Sequence, residues 1–357
     1  MMTTRRFQLH FLTPAFLGNA EQDGQWRAPP IKALLRQWWR VAWAEAQGFS
    51  QDFNRMRHDE GVLFGAAADG QGNKSRLRLR LGRWDRGRLT HWEALDKVSH
   101  PEVKPAIGAD LYLGYGPLSY DKAHKGVKLK SNAAIQAGES AELRLAFPEA
   151  DAPLLDRALA LMDLYGTLGG RSGNGWGSFA LAGDHPDLAP PLRAWRDCLD
   201  CDWPHAIGSD EQGPLIWRTG PFTDWKQLMR QLARIKIGLR TQKKFELALD
   251  ESTGDEEIFN KKGERAGINH GAPQLRHWLS YPVTNHSVTP WGNDARLPNS
   301  LRFKVRKDGD GRLHGLICHI PCLPPSQFHP QPKTIEKVWQ QVYTFLDGHS
   351  HLARTAR

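Results

Sequence analysis

The first half of the chain alternates between strand and helix patterns. Residues 7–12 alternate apolar with polar side chains, which predicts a strand with one buried face. Residues 31–47 follow two prolines and repeat their apolar side chains at helical spacing, and residues 52–64 predict a second, shorter helix. The other elements expected here are strands over residues 75–81, 141–147 and 178–181 and a helix over residues 154–168. The main elements follow the β-α-β-β-α-β order of a ferredoxin-like unit.

The second half shows a similar but weaker pattern. Residues 215–218 predict a strand, and Thr223 could cap a helix over residues 224–235. The remaining expected elements are strands over residues 301–306 and 313–320 and a closing helix over residues 335–345. A second ferredoxin-like unit is therefore expected after residue 213.

These patterns predict an α+β protein, and 357 residues are enough for two domains. We expect an N-terminal ferredoxin-like (RRM-like) domain over residues 1–185 and a C-terminal ferredoxin-like domain with helical insertions over residues 214–357. Residues 186–213 are rich in Pro, Gly and Asp and predict a linker. Residues 84–138 and 246–274 fit neither unit and predict insertions, the second of them mobile.

The net charge of the chain indicates which class of partner to expect. The chain has 48 Lys and Arg against 39 Asp and Glu, a net charge of +9, and 14 Trp, a combination typical of proteins that bind RNA or DNA. Its apolar runs are shorter than the roughly 18 residues that a membrane span needs, and the start of the chain has no pattern of a secretory signal. Four cysteines are too few for a disulfide framework. We therefore expect a cytoplasmic protein without a membrane partner.

The first predicted helix carries a row of basic side chains. Lys32, Arg36 and Arg40 are four residues apart and share one helix face, beside Trp39. Such a row could follow successive phosphates, and an indole ring could stack on an unpaired base. The alternative is a solvated face next to a tryptophan-rich core.

Two further basic patterns occur along the chain. Residues 226–244 contain seven basic residues, among them Lys236 and Arg240, and no acidic residue, which indicates an anionic partner or a solubilising face. Within residues 75–81, arginines alternate with leucines, so the arginines point towards whatever covers the outer face of that strand. These arginines are Arg76, Arg78 and Arg80.

The glycine-rich segment 169–177 is the most informative motif. Its five glycines permit positive φ angles and a close backbone approach, and successive N–H groups in such a turn can hold an anion. Arg171 could bind a phosphate and Trp176 could stack on a base, with Ser172 and Gly173 between them. The segment lacks the Gly-Lys-Ser/Thr of a nucleotide-binding loop, which argues against a nucleoside triphosphatase. The alternative is a flexible turn between a helix and a strand.

Signals for metal binding or catalysis are weak. Cys198 and Cys201 have the spacing of half a zinc site, and Cys318 and Cys322 could form another half, but the pairs are far apart in sequence. We therefore expect no metal, no cofactor and no catalytic residue. In an alternative reading, a lone histidine, His10 or His124, acts as a general base for RNA cleavage.

Several segments resemble a known family. They are Phe11-Leu12-Thr13-Pro14, Trp26-Arg27-Ala28-Pro29-Pro30-Ile31-Lys32, Leu35-Arg36-Gln37-Trp38-Trp39-Arg40 and Gly169-Gly170-Arg171-Ser172-Gly173-Asn174-Gly175-Trp176-Gly177-Ser178. Together they resemble the RAMP superfamily of CRISPR proteins. The helix run resembles, more narrowly, the first subunits of type III-B (Cmr) effector complexes.

The resemblance implies two ferredoxin-like domains and a non-catalytic subunit that works in antiviral defence. Such subunits bind the 3′ part of the guide (CRISPR) RNA and the target RNA paired to it, beside other Cmr subunits. Carried over by position, the RNA-binding residues are Lys32, Arg36, Trp39, Arg40, Arg171, Ser172, Gly173, Trp176, Lys236 and Arg240. The alternatives are a metal-independent endoribonuclease of the superfamily that matures guide RNA, and an assembly subunit whose basic faces meet acidic protein partners.

Overall fold

The computed structural model describes residues 1–21, 23–67, 72–183, 189–241, 256–259, 265–292 and 294–356. Helices and strands both occur throughout this part of the chain, so the predicted α+β class is confirmed. Within it, no helix has the length and apolar character that crossing a membrane requires.

The N-terminal half is built on a four-stranded sheet. Its elements are β1 (Met2–Phe11), α1 (Ala28–Ala46), α2 (Phe53–Phe64), β2 (Arg78–Leu81), β7 (Ser140–Pro148), α4 (Ala152–Tyr165) and β8 (Phe179–Ala182). The strands lie in the order β2-β7-β1-β8, and every neighbouring pair is antiparallel. Each predicted element of this half is present, with ends that move by a few residues.

One face of this sheet is buried and the other is exposed. Phe7, Leu9 and Phe11 of β1 pack into a core shared with α1 and α4, whereas Arg6 and Gln8 between them are exposed. This is the strand period that the sequence predicts. Burial of the apolar face against the two helices supplies the main stabilisation of this half.

The insertion at residues 84–138 contains two hairpins instead of a simple loop. Its elements are β3 (Lys97–His100), β4 (Val103–Gly108), α3 (Ala109–Gly114), β5 (Leu118–Asp121) and β6 (Gly126–Leu129). The buried carboxylate of Asp110 accepts hydrogen bonds from Trp92 Nε1 at 2.7 Å and from the backbone N–H of Leu95 at 3.1 Å. These bonds fix the start of α3 and with it the position of the β5–β6 hairpin.

The described part of residues 186–213, which were predicted to be a linker, includes strands. A small sheet is formed by β9 (Leu192–Ala194), β10 (Ile207–Asp210) and β11 (Gly213–Pro214). Within the predicted insertion 246–274, residues 246–255 and 260–264 lie outside the described residues. The described part contributes β13 (Glu256–Phe259) and β14 (Arg265–His270) to a second small sheet, completed by β15 (His286–Val288).

The C-terminal half contains a second four-stranded sheet. Its elements are β12 (Ile216–Thr219), α5 (Trp225–Gly238), β16 (Leu301–Lys307), β17 (Leu313–His319), α6 (Pro332–Asp347) and β18 (Leu352–Arg354). The order β16-β17-β12-β18 repeats the order of the first sheet when strands are counted from the start of each half. The cap of α5 is Asp224 and not Thr223, because the Asp224 side chain accepts the N–H of Lys226 at 3.1 Å.

Candidate nucleic-acid interface

The glycine-rich segment joins the two halves of the protein. Asn174 forms a β-bridge with Phe303 of β16, and the N–H of Phe303 donates to Gly173 O at 3.2 Å. Four N–H groups of the segment, those of Gly170, Asn174, Gly175 and Gly177, donate to backbone carbonyl oxygens. These four groups are not available to an anion, so the segment acts mainly by positioning its side chains.

Gly177 shows why this segment needs glycine. Its φ is +64°, and a Cβ at this position would lie 1.8 Å from Leu168 O. The N–H of Leu168 donates to Gly177 O at 2.9 Å, and the N–H of Gly177 donates to Pro14 O at 2.8 Å. The close approach ties the segment to the end of α4 and to the turn after β1.

The predicted stacking roles of Trp39 and Trp176 are wrong. Trp176 is fully buried and packs edge-on against Phe16 and Trp92, with ring centroids 5.5 Å apart in each pair. Trp39 is 2% exposed and packs against Phe64 in the α1–α2 core. A base cannot stack on either ring, because other aromatic side chains already pack against both.

Four basic side chains from separate segments form a shared electrostatic environment, which we call the basic cluster. It consists of Arg171, Lys236, Arg240 and Arg276, the last in a 3-10 helix at Leu275–Leu279. Lys236 Nζ donates to Asn174 Oδ1, and Arg240 Nη2 donates to Ser280 O at 3.0 Å. The convergence of Arg171 with Lys236 and Arg240 is the part of the predicted site that folding brings together.

Among the described residues, the basic cluster carries more positive than negative charge. Burial, followed by the nearby charges of Arg240 and Arg171, holds the pKa of Lys236 well below its ordinary value. Burial also lowers the pKa of Arg240, and Arg276 and Arg171 add to this effect while Tyr112 opposes it. The carboxylate that pairs with the cluster is Glu102, 3.1 Å from Arg276 Nη1.

Two buried donors at the cluster have no acceptor among the described residues. They are Arg240 Nε and Nε2 of His277. Burial lowers the pKa of His277, and the charges of neighbours that include His270, Arg276 and Arg240 lower it further. The backbone N–H of Gln274 donates to His277 Nδ1 at 2.9 Å, so the neutral ring carries its proton on Nε2. Surplus positive charge and unused donors together fit an anionic, oxygen-rich ligand such as a phosphate.

Arg302 adds a further basic side chain beside the glycine-rich segment, and it was not among the predicted site residues. A Cβ added to Gly173 would lie 3.4 Å from Arg302 Nη1, so the guanidinium covers this glycine. Burial lowers the pKa of Arg302. Its position on β16 gave no signal, because it is one of several basic residues that alternate with apolar ones. Arg276 is likewise an isolated arginine that only the fold brings to the site.

The β5–β6 hairpin places exposed aromatic and basic side chains next to Arg171. Arg171 Nε donates to Tyr115 O at 2.6 Å, and the side chains of Tyr115 and Tyr120 are 61% and 52% exposed. The exposed lysines of the hairpin are Lys122, Lys125, Lys128 and Lys130. Asp121 pairs with Lys128 at 3.0 Å. In the described ranges, the other three lysines pair with no carboxylate.

Two arginines of the row on α1 are paired with an acid of α2. Lys32 Nζ donates to Ser75 Oγ at 2.9 Å, and the guanidinium groups of Arg36 and Arg40 both bind the buried carboxylate of Glu60. The hydrogen bond to Glu60 raises the pKa of Arg36, and burial lowers that of Lys32. The row is thus engaged with Glu60 and Ser75, and its place in one continuous cradle with the other basic residues stays a prediction.

Glu60 provides a test of this pairing. Burial alone would raise its pKa, but the hydrogen bonds from Arg36 and Arg40 outweigh burial and hold it below the ordinary 4.5. Glu60→Gln is therefore expected to lower the free energy of unfolding by about 1–3 kcal/mol near neutral pH. A carboxylate with a lowered folded pKa stabilises the protein above its unfolded pKa, and this contribution is lost as pH falls through the folded pKa.

Urea unfolding at neutral pH and at steps below pH 4.5 measures the difference between the wild type and Glu60→Gln. The difference should shrink in the acidic steps, while Glu21→Gln, an exposed control, should show little effect at any pH. A difference that stays constant with pH would contradict the ionic role of Glu60.

The basic run 226–244 is partly neutralised by another segment. Lys226 pairs with Glu93, and Arg230 Nη1 lies 3.0 Å from Asp96 Oδ2. Arg230 and Arg234 line a cavity of about 670 Å³ together with Lys97 and His351, whereas Lys236 faces the glycine-rich segment. The run thus divides between two helix faces; Lys243 and Lys244 lie outside the described residues.

Within the part of the chain that the structure describes, two clusters contain residue types that could hold a metal ion. The ring nitrogens of His270, His277 and His286 lie within 4.8 Å of one another, and Asp200, Cys201 and His205 form a similar group. In each cluster an arginine already binds a candidate ligand: Arg276 Nη2 lies 3.2 Å from His286 Nδ1, and Arg193 Nη1 lies 2.7 Å from His205 Nε2. A guanidinium at a ligand nitrogen competes with a cation, so both groups fit a hydrogen-bond network better than a metal site.

Comparison with known proteins finds similarity to one superfamily and to two solved structures. No curated protein is similar in sequence to this chain. The crystal structure of Cmr1 from Pyrococcus furiosus (apo form) is similar over 89% of this chain and 87% of that chain, with 16% identity and a TM-score of 0.45. A chain of the type III-B Cmr-beta cryo-EM structure bound to cognate target RNA is similar over 95% and 99%, with 12% identity and a TM-score of 0.45. The sequence model of the RAMP superfamily matches residues 8–180, just under half of the chain.

Proposed function

We propose that this chain is a non-catalytic RNA-binding subunit of a type III-B (Cmr) CRISPR effector complex. It would bind the 3′ part of the guide RNA and the target RNA paired to it, beside other Cmr subunits. The observation that supports RNA binding most strongly is the basic cluster, where Arg171, Lys236 and Arg240 converge around unused buried donors. The match of the RAMP superfamily model to residues 8–180 and the motifs of α1 and the glycine-rich segment support the CRISPR assignment.

Both sheets support the ferredoxin-like part of this proposal. In each half, the first and third main strands are neighbours in the sheet, and a helix follows each of them. This is the arrangement that a β-α-β-β-α-β unit forms. The glycine-rich segment would then lie between two such units, where an RNA strand could contact both.

Titration of the full chain with single-stranded RNA at several salt concentrations tests the proposal. Phosphate contacts predict that the logarithm of the binding constant falls linearly with the logarithm of the salt concentration, by about one unit for each neutralised phosphate. Different RNA sequences of equal length should bind similarly, because phosphates carry no base identity. Binding that is undetectable at low salt would overturn the RNA-binding role.

Tyr115 is expected to stack on an unpaired base next to Arg171. Tyr115→Ala should weaken binding of single-stranded RNA by about tenfold and leave duplex binding nearly unchanged, because only unpaired bases offer a free ring face. Tyr115→Trp should retain the affinity. Trp84→Ala removes an aromatic side chain that is 53% exposed elsewhere and serves as the control. Equal losses with Ala and Trp at position 115 would contradict stacking.

The histidine cluster favours one alternative function, a metal-independent endoribonuclease. His270 Nε2 and His286 Nδ1 are 2.8 Å apart, and Arg276 lies beside them. Two such rings could exchange the protons of a 2′-hydroxyl attack while the arginine stabilises the phosphate. This alternative predicts cleavage of guide-precursor RNA in the presence of a chelator, lost in His286→Ala. Intact RNA after long incubation with excess protein would exclude it.

A further inference from the structure

The outer face of the N-terminal sheet is a surface that the proposed function does not use. The helices α1 and α4 cover the opposite face, where the apolar side chains of the four strands are buried. On the outer face, side chains from three neighbouring strands are exposed. They are Thr4, Arg6 and Gln8 of β1, Arg78 and Arg80 of β2, and Arg144 of β7.

The strand register places three arginines directly opposite one another. Arg80 of β2 is opposite Arg144 of β7, and Arg144 is opposite Arg6 of β1. Neighbouring strands are about 4.8 Å apart, so the three side chains form a row across the sheet, which we call the arginine row. Like charges directly opposite each other destabilise a sheet. The fold therefore keeps an unfavourable arrangement at this face.

Little negative charge compensates the arginine row. Glu142, on the same strand, pairs with Arg144. Arg6 and Arg80 pair with no carboxylate in the part of the chain that the structure describes. The charges of Arg6 and Arg80 are therefore uncompensated within the described residues, and an anion from another molecule would relieve their repulsion.

The character of the face indicates which anion fits. The positions next to the row carry small or polar side chains, Thr4 and Ala146 on one side and Gln8 and Glu142 on the other. The ring of His10, farther along β1 on this face, is partly buried. RNA-recognition sheets that read bases use exposed aromatic side chains for stacking, and the cores of protein interfaces are enriched in aromatic residues. A charged face without either feature fits the phosphate backbone of a nucleic-acid strand.

We propose that the arginine row binds the phosphates of an RNA segment independently of its sequence, at a surface separate from the basic cluster. This inference rests on the proposed RNA-binding function and adds a second surface to it. The three side chains would contact successive phosphates, and the bases would point away from the sheet. Arg78, on the same face but opposite Ala146, lies outside the row.

Removal of an arginine from the row should stabilise the free protein but weaken RNA binding. Arg80→Gln should raise the Tm of the free protein by roughly 1–2 °C at low salt, because it removes a repulsive pair, and added salt should reduce the gain. Arg78→Gln is the matched control for stability, since Ala146 is opposite that position, and its Tm should stay unchanged. An unchanged Tm for Arg80→Gln would overturn the claim that Arg80 is repelled by the arginine opposite it.

Binding is measured with the full chain and a long single-stranded uridine oligoribonucleotide. Arg6→Gln/Arg80→Gln leaves the Arg144–Glu142 pair intact, and it should weaken binding about tenfold and reduce the salt slope by about two. The control Lys333→Gln/Arg312→Gln removes the same charge from exposed positions outside the row and should change binding much less. Equal effects of the two double variants would overturn a specific role for the row.

Comparison with the basic cluster separates this inference from the proposed function. If Arg171→Gln/Arg240→Gln weakens binding and Arg6→Gln/Arg80→Gln does not, the arginine row does not bind RNA and the proposed function stands. If neither variant weakens binding, both proposals fall. Weaker binding in both variants is the result that we expect.

Discussion

Arg171→Gln/Arg240→Gln is expected to weaken binding of single-stranded RNA at least about tenfold and to reduce the salt slope by about two. Arg171 is exposed on the glycine-rich segment, and Arg240 carries a buried Nε without an acceptor. Glutamine retains hydrogen-bonding groups but removes the charge. The affinity should fall similarly for all RNA sequences, because the lost contacts are to phosphates.

Lys333→Gln/Arg312→Gln is the control for this prediction. It lowers the net charge by the same amount at exposed positions that have no recorded contact with the basic cluster. Fluorescence anisotropy across a salt series measures both variants, and thermal unfolding verifies that they fold. Equal losses in the two variants would show that overall charge, and not the site, determines affinity.

Gly177→Ala is expected to lower the free energy of unfolding by at least about 3 kcal/mol and to abolish RNA binding at working temperature. The new Cβ would lie 1.8 Å from a backbone carbonyl oxygen, Leu168 O. Relief of this clash needs a shift of the backbone at Leu168, whose N–H donates to Gly177 O. The glycine-rich segment would shift, and Arg171 would leave the cluster with it.

Gly48→Ala separates the steric clash from the cost of the backbone angle. Gly48 has a φ of +59°, close to that of Gly177, but a Cβ there would meet nothing within 4 Å. It should therefore cost only about 1 kcal/mol, the penalty of a left-handed angle. Urea unfolding of both variants measures the difference. Similar losses in both would contradict the clash with Leu168.

Sequence periodicity predicts the sheets well, because a strand with one buried face must alternate. The leucines of residues 75–81 illustrate this: Leu77 and Leu81 are buried, while Arg78 and Arg80 between them are exposed. The same pattern does not show what lies opposite an exposed arginine. The arginine row depends on the pairing register of three strands, which one strand's sequence does not contain.

The candidate site could be predicted only in part. Arg171, Lys236 and Arg240 stand out because glycines and a basic run mark their segments. The pairing of Arg36 and Arg40 with Glu60 could not be foreseen, since the acid lies on the next helix and its partner depends on helix packing. Buried and stacking tryptophans also look the same in a sequence, because both need a large aromatic ring near basic residues.

Photocrosslinking of thiouridine-substituted RNA to the full chain, followed by mass spectrometry of the peptides, tests the central claim most directly. We expect adducts on the glycine-rich segment around Arg171, on the β5–β6 hairpin beside Tyr115, and near Lys236 and Arg240. Adducts confined to α1, with none on these segments, would contradict the assignment of the basic cluster as the RNA site.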